Sequence, residues 1–347
     1  MSTHKALFLL ERRGSYAVRE IETPEPAAGE LLVEVHATGL NPVDWKIQSF
    51  LDFICPTYPA IVGADSAGIV KAVGEGVTSF VVGDKVVHQG FYRNRQATFQ
   101  QYTIVPAEIT AKLPPNLSFD QAATIPLALA TAAFGFYSKK ATLPARGGAE
   151  LAPVWEEGGR GKYAGQPILI IGGSSSVGQQ AIQFAKLSGF SPIITTASKH
   201  NEAFVKSLGA THIVDRNEPL PQTVQSITSE PIKIIYDAIS LKDTQNDAYD
   251  ILAPGGTLVL VEDLAIDESK LTKDKELVAA YGTVYDPNQR ALGVSLYKNL
   301  TAMLESGELK PNNVEVVPNG LAGIPDALEK LKAGKVSASK LVAHPQE

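Results

Sequence analysis

The chain has one cysteine, Cys55, so no disulfide can form within it, and a small fold stapled by bridges is excluded. It has no excess of basic residues: 31 Lys and Arg stand against 37 Asp and Glu, for a net charge of -6. A nucleic-acid binder would carry a basic stripe, so that class is disfavoured. No apolar run reaches the roughly 18 residues that read as a membrane span, and the opening residues lack the apolar stretch of a secretory signal. A cytoplasmic protein is the expectation. Histidine is scarce and scattered. His4, His36, His88, His200, His212 and His344 show no His-x-x-x-His or carboxylate-plus-histidine spacing. A metal centre, which needs three or four ligands held together, is not expected.

What is present suits a packed globular protein. Apolar residues make up 44% of the chain, enough for extensive cores, and 347 residues suit two domains of ordinary size. The first 110 residues are rich in Val, Gly and Pro and read as short strands, at 6–10, 31–37, 63–73 and 85–88. In 31–37, Leu31, Val33 and Val35 alternate with Glu34 and His36, the pattern of a half-buried strand. Strands this short, punctuated by Gly74–Gly76 and Gly83-Asp84 turns, predict a compact, barrel-like β domain.

The pattern changes near residue 118. Ser118-Phe119-Asp120-Gln121 has the form of a capping box, and 128–137 is a run of helix formers. Residues 139–166 contain two Gly-Gly pairs and little periodicity, and read as an excursion at the domain junction. Apolar strands at 167–171, 191–196, 213–214, 232–238 and 256–262 then alternate with helices at 177–188 and 201–208. That alternation predicts a parallel sheet covered on both faces. A helix at 292–306, strands at 313–318 and 340–343, and a helix at 324–334 complete the reading.

The strongest motif is QPILIIGGSSSVGQQAIQF at 166–184. A buried strand runs into Gly172-Gly173-Ser174-Ser175-Ser176-Val177-Gly178, and a helix follows at once. Small residues let the backbone approach a pyrophosphate, and the amides at the helix start face its charge. Strand, loop, helix and second strand in that order point to a dinucleotide. A fold that prefers NAD places Asp or Glu about 20 residues past this fingerprint, to bind the ribose 2′-hydroxyl. Here Ser198 and Lys199 stand at that distance, and the first acid is Glu202. Ser198 as donor and Lys199 as point charge suit a 2′-phosphate, with Arg216 as a second charge. NADPH is therefore the expected cofactor. The competing reading is a solvated turn.

These residues resemble the medium-chain dehydrogenase/reductase superfamily. The resemblance rests on Gly39-Leu40-Asn41-Pro42-Val43-Asp44-Trp45-Lys46, Gly63-Ala64-Asp65-Ser66-Ala67-Gly68, the Gly83-Asp84 turn and the glycine loop, and it extends to 336–342. Asn-Pro-x-Asp-Trp-Lys and Ser198-x-x-Asn201 are similar to fungal zinc-free enoyl reductases, ToxD-like proteins among them, near the quinone oxidoreductases. The resemblance implies an α/β chain: a GroES-like β-rich catalytic domain, 1–125 completed by 280–347, and a doubly wound Rossmann domain, 126–279, for NADPH. Zinc-bearing relatives place a cysteine where this chain has Asn41, and Gly-His-Glu where it has Gly63-Ala64-Asp65.

The resemblance also supplies candidate site residues. Asp44 and Lys46 belong to a motif lining the cleft in related enzymes, with Lys46 reaching the cofactor or the substrate oxygen. Thr131 matches a threonine beside the nicotinamide. Val261 and Glu262 end a strand where ligands collect in open sheets. Gly173, Ser174, Ser175, Ser176, Val177, Ser198, Lys199, Asn201 and Arg216 complete the expected cofactor set. Where relatives carry a tyrosine against the adenine, this chain has Arg216, a guanidinium that can stack. Tyr58 and Tyr102 are candidate proton donors, although buried tyrosine is often packing. The segment 283–287 resembles a substrate-side segment of the enoyl reductases.

Without a Lewis acid, little stabilises an alkoxide, so addition of hydride to an activated carbon–carbon double bond is the more natural reaction. The expected substrate is a small molecule: an enone, enoyl group or quinone. Rival expectations are an aldehyde reductase, a reductase acting on carrier-protein-bound intermediates, and an NADPH binder without turnover. Relatives are commonly homodimers.

Overall fold

The computed structural model describes residues 2–347, which divide into two compact units. The first is the chain through Leu127 with Thr283–Gly307 and Pro311–Glu347; the second is Ala128–Gly282 with Glu308–Lys310.

Among the described residues, the first unit holds sheets of three and seven strands. The smaller sheet pairs Tyr16–Glu22, Thr3–Leu9 and Ala60–Ile61, all antiparallel. The larger is built around Glu30–Gly39, which pairs antiparallel with Asp65–Val73, Tyr102–Pro106 and Ser339–Ala343. Irregularities at Leu32/Val33 and Val35/Ala37 bend that central strand, as bulges do. One core gathers Leu7, Leu9, Ile47, Ile61, Phe99, Ile324 and Leu341, side chains more than 300 residues apart in sequence at the extremes. Burying each such aliphatic side chain contributes about 1.5–3 kcal/mol.

The second unit is a six-stranded parallel sheet in the order His212–Asp215, Ile193–Ala197, Ile168–Ile171, Ile234–Asp237, Thr257–Leu260, Glu276–Ala279. The chain runs outward from the third of these in both directions, so strand order reverses at Ile168–Ile171, the arrangement that opens a ligand crevice at the strand ends. Two helices and the last strand go beyond what the sequence pattern predicted. Lys242–Ile251 is mostly polar and buries Gln245, Asn246, Ala248 and Tyr249. Leu220–Ile227 and Glu276–Ala279 are short, and the latter follows a charged stretch that hides its Leu277-Val278-Ala279.

Residues 139–166 belong to the second unit. Their few regular bonds are replaced by specific anchors. The Ala149 and Leu151 amides donate to the Gly135 and Phe136 carbonyls, each at 2.8 Å, while Trp155 packs edge-on against Tyr137 with centroids 5.1 Å apart. Tyr163 stacks on Phe190 at 5.1 Å, and Arg160 makes two bonds to Glu308, at 2.7 and 2.8 Å. These contacts are why so long a stretch is ordered without secondary structure. No helix among the described residues is long and apolar enough to cross a membrane.

Candidate functional site

In the second unit the glycine loop joins Ile168–Ile171 to the helix Ser176–Leu187. Gly172 turns the chain with φ +80°, a left-handed conformation that side chains disfavour. A Cβ on Gly178 would lie 2.2 Å from the Gly172 carbonyl oxygen, so only glycine lets the helix start against the turn. The turn is held by the Gly172 amide on Thr196 Oγ1 (2.8 Å) and the Gly173 amide on the Thr196 carbonyl (2.9 Å). Ser175 is the N-cap: its Oγ accepts from the Gly178 amide at 3.0 Å, so that hydroxyl serves the helix start. Among the described residues, the amides of Ser174 and Val177 take part in none of these turn bonds. Ser174, Ser176 and Val177 are half-buried at the helix start, where amide dipoles favour an anion. The loop therefore fits a dinucleotide pyrophosphate by its own geometry.

The neighbouring strand end collects the other expected residues. Parallel register sets Ala197 opposite Asp215, so Ser198-Lys199 and Arg216 emerge at the same end of the sheet. Lys199 and Arg216 are exposed, Ser198 is half-buried, and Asn201 is buried, its amide donating to the Ser198 carbonyl at 2.8 Å. The Asp215 carboxyl lies below its usual range, held by the Asn217 amide and side chain, with the Lys199 amide and the Arg216 charge also contributing. Elsewhere in this unit, Thr131 lies on Pro126–Tyr137, and its carbonyl accepts from Tyr236 Oη at 2.8 Å. The Val261 amide donates to Ser240 Oγ at 2.9 Å, and Glu262 is exposed.

In the first unit a buried polar cluster forms around Asp65, whose exposure is 0%. Its Oδ2 accepts from Asn41 Nδ2 at 2.8 Å and from the Lys340 ammonium, and its Oδ1 accepts from the Leu127 amide at 2.7 Å. Lys340 also donates to the Thr124 carbonyl at 3.3 Å. A buried charge needs this degree of pairing to be tolerated. Lys340 lies inside an apolar strand at the far end of the chain and is not among the residues expected at the site. The signal was a lysine within Ser-Lys-Leu-Val-Ala.

Next to this pair, Asn41 is the N-cap of the helix Pro42–Ser49. Asp44, also 0% exposed, turns back to accept the Asn41 amide at 2.7 Å. Its carboxyl is pushed up to about 8, chiefly by burial and also by the charge of Asp65, against the opposing effect of the Asn41 amide and the Lys340 charge. Tyr92 Oη lies 3.5 Å from Asp44 Oδ1. Lys46, half-buried on the same helix, sits 5.8 Å from the Trp45 ring centroid. The two tyrosines proposed from sequence have other partners. Tyr58 Oη donates to the Asp52 carbonyl at 2.9 Å, and Tyr102 Oη donates to Glu34 Oε1 at 3.0 Å. The segment expected on the substrate side is tied to the strand end beside Tyr92: the Val284 amide donates to Gln89 Oε1 (2.9 Å), Tyr285 Oη donates to the Gln89 carbonyl (3.2 Å), and the Tyr285 ring stacks on Phe91 at 4.7 Å.

Comparison with known proteins accords with this geometry. Residues 27–115 match the alcohol dehydrogenase GroES-like domain, and residues 176–296 match the zinc-binding dehydrogenase family. The chain is 31% identical to a trans-enoyl reductase of Pyricularia oryzae, over 98% of each chain, and 33% identical to a dehydrogenase of Aspergillus niger, over 99% of each. Among solved structures it resembles an alcohol dehydrogenase superfamily protein from Novosphingobium aromaticivorans (26% identity, 98% of each chain, TM-score 0.80). It also resembles the quinone oxidoreductase from Coxiella burnetii (25% identity, 98% of this chain and 99% of that one, TM-score 0.73).

The zinc of the family description does not fit the residues present. Asn41 offers Asp65 an amide donor, and the Lys340 ammonium occupies the same carboxylate, so two cationic or donor groups converge where ligands would have to face a cation. No group of three or more His, Cys, Asp or Glu among the described residues could hold a metal ion. With a GroES-like unit, a Rossmann-type sheet and full-length relatives of both kinds, the chain belongs to the medium-chain dehydrogenase/reductase superfamily.

Proposed function

We propose that the protein is an NADPH-dependent, zinc-independent reductase that transfers hydride to an activated carbon–carbon double bond of an enone, enoyl or quinone substrate. The observation that carries this reading is the closed cluster of Asn41, Asp65 and Lys340, which leaves carbonyl reduction without a Lewis acid. Reduction of a conjugated double bond needs less, because the charge delocalises onto an oxygen that hydrogen-bond donors can hold. Bound NADPH supplies the hydride from its nicotinamide C4.

The chain's own residues divide the rest of the work. The Ser174 and Val177 amides, with Gly173, Ser175 and Ser176 shaping the turn, receive the pyrophosphate. Ser198, Lys199 and Arg216 hold the 2′-phosphate, with Asn201 bracing the turn between them. Thr131, Val261 and Glu262 face the nicotinamide end. Lys46 is the donor assigned to the substrate oxygen, and Asp44 fixes the helix that carries it. Tyr58 and Tyr102 are the donors the sequence offers for the proton, but their hydroxyls are engaged by Asp52 and Glu34. The full-length likeness to trans-enoyl reductases favours a carrier-bound enoyl group as one form of the substrate. A cytoplasmic homodimer accords with the same reading.

Purified protein assayed with NADPH and NADH against enones, quinones, a carrier- or pantetheine-linked enoyl thioester and aldehydes tests this. Turnover of a conjugated substrate with at least a tenfold preference for NADPH is expected, the order of one or two lost charge-assisted contacts. Turnover of aldehydes alone, or tight NADPH binding with no oxidation across the panel, would overturn the reading.

A further inference from the structure

We propose that Tyr92, supported by the buried carboxyl of Asp44, delivers the proton that completes reduction of the double bond. The inference rests on the function proposed above and assigns that site a proton donor. Three observations place Tyr92 there. Its hydroxyl is aimed at Asp44 Oδ1, 3.5 Å away, inside the cluster that also holds Asn41, Asp65 and Lys340. That distance is long for a settled O–H···O bond, and it falls within the looseness that catalytic pairs show before substrate binds. Tyr92 also follows Gln89-Gly90-Phe91, the stretch clamped by Val284 and Tyr285. Tyr92 thus reaches Asp44 on the helix that carries Lys46 and directly follows Phe91, which stacks on Tyr285 of the segment expected to face substrate. Finally, Asp44 has no exposure, one of its oxygens takes the Asn41 amide, and the other has Tyr92 as a hydroxyl neighbour.

Hydride, two electrons and one proton from the reduced nicotinamide, adds to the β-carbon of the enone or enoyl group and leaves an enolate. The Tyr92 O–H bond breaks and its proton goes to the α-carbon, giving the saturated product. The phenolate takes the proton of the Asp44 carboxyl, and the resulting carboxylate takes up one from solvent, so one solvent proton is consumed per turnover.

Asp44 is suited to hold that proton. Burial keeps the carboxyl protonated up to about pH 8. The groups that bear on it are Asp65 (raising) and Lys340 (lowering), with Tyr92 and the Asn41 amide bonded to it. Asp44 also weighs on Tyr16 and Cys55, both raised above their ordinary values chiefly by burial. Because the useful form is the protonated one, turnover should hold on the acid side and fall as pH rises through about 8.

The test compares wild type with Tyr92→Phe and Asp44→Asn. Asp44→Asn keeps an oxygen for the Asn41 amide, so the helix cap survives, and thermal melts of both variants confirm folding. Tyr92→Phe should lose at least about tenfold in kcat, with NADPH affinity by fluorescence titration unchanged, as removal of a general acid does. Asp44→Asn should lose the alkaline limb of the kcat profile. A readout independent of turnover is the carboxylic-acid carbonyl band in infrared difference spectra between about pH 6 and about pH 10. It should be present in wild type and Tyr92→Phe and absent in Asp44→Asn. Wild-type kcat in Tyr92→Phe, or an unchanged alkaline limb in Asp44→Asn, would overturn the proposal while leaving the reductase reading intact. Wild type that reduces aldehydes alone would remove both.

Discussion

The glycine loop of the second unit and the Asp65 cluster of the first are built on opposite principles. The loop is made of backbone: amides, a left-handed glycine and a helix start, with side chains kept small so that the main chain can approach a ligand. The cluster is made of side chains drawn from positions 41 to 340: two carboxyls, an amide and an ammonium buried together, with a half-buried phenol beside them. A backbone site is contiguous and tolerates change at many positions, provided the glycines stay. A side-chain site depends on every member, because each leaves another buried and unsatisfied when it is lost.

The comparison breaks hardest at Lys340. Lys340→Met leaves the Asp65 carboxylate buried with only Asn41 and the Leu127 amide, and should cost about 3–5 kcal/mol in urea unfolding. The double variant Lys340→Met/Asp65→Asn should recover most of that loss, because the uncompensated charge is gone. Full stability in the single variant would mean that Asp65 takes up a proton or finds water at little cost.

A smaller effect is expected in the loop. In Gly178→Val the new Cβ would meet the Gly172 carbonyl at 2.2 Å, so the turn must open. NADPH affinity should fall by about a hundredfold, roughly 2.7 kcal/mol, with the urea midpoint moved far less than in Lys340→Met. An unchanged affinity would show that the helix start is not where the pyrophosphate sits.

The smallest effect sharpens the cofactor assignment. Lys199→Ala and Arg216→Ala each remove an exposed cation, so stability should stay within about 0.5 kcal/mol. Each should weaken NADPH by about threefold to tenfold and leave NADH unchanged, read by fluorescence titration at low salt. Equal loss for both cofactors would locate these cations on the shared pyrophosphate instead of the 2′-phosphate.

The loop was legible in the sequence because its parts are neighbours. Residues 166–184 contain the strand, the turn and the helix, and the spacing to Ser198 is a count along one chain. The two kinds of domain followed from local pattern in the same way, short glycine-punctuated strands and then apolar strands alternating with helices. Lys242–Ile251 escaped because half of its buried face is Gln245 and Asn246, which leaves only a short apolar stripe to read. Glu276–Ala279 escaped because four residues carry too little periodicity. Tyr92 carries no local mark in its polar loop, and the one sign of Lys340 is a lysine inside an apolar strand.

By itself the sequence determined the presence of a glycine-rich turn between strand and helix, the absence of an acid about 20 residues beyond it, and the lack of the cysteine and histidine that zinc-bearing relatives place at Asn41 and Ala64. Each of these is a property of neighbouring residues, set by what a backbone of that composition can do. The tertiary structure decided what replaced the metal ligands. Only folding brings Lys340 onto Asp65 and Tyr92 onto Asp44, because those contacts depend on which strands pair and on burial, which raises the energetic stakes of every unpaired charge.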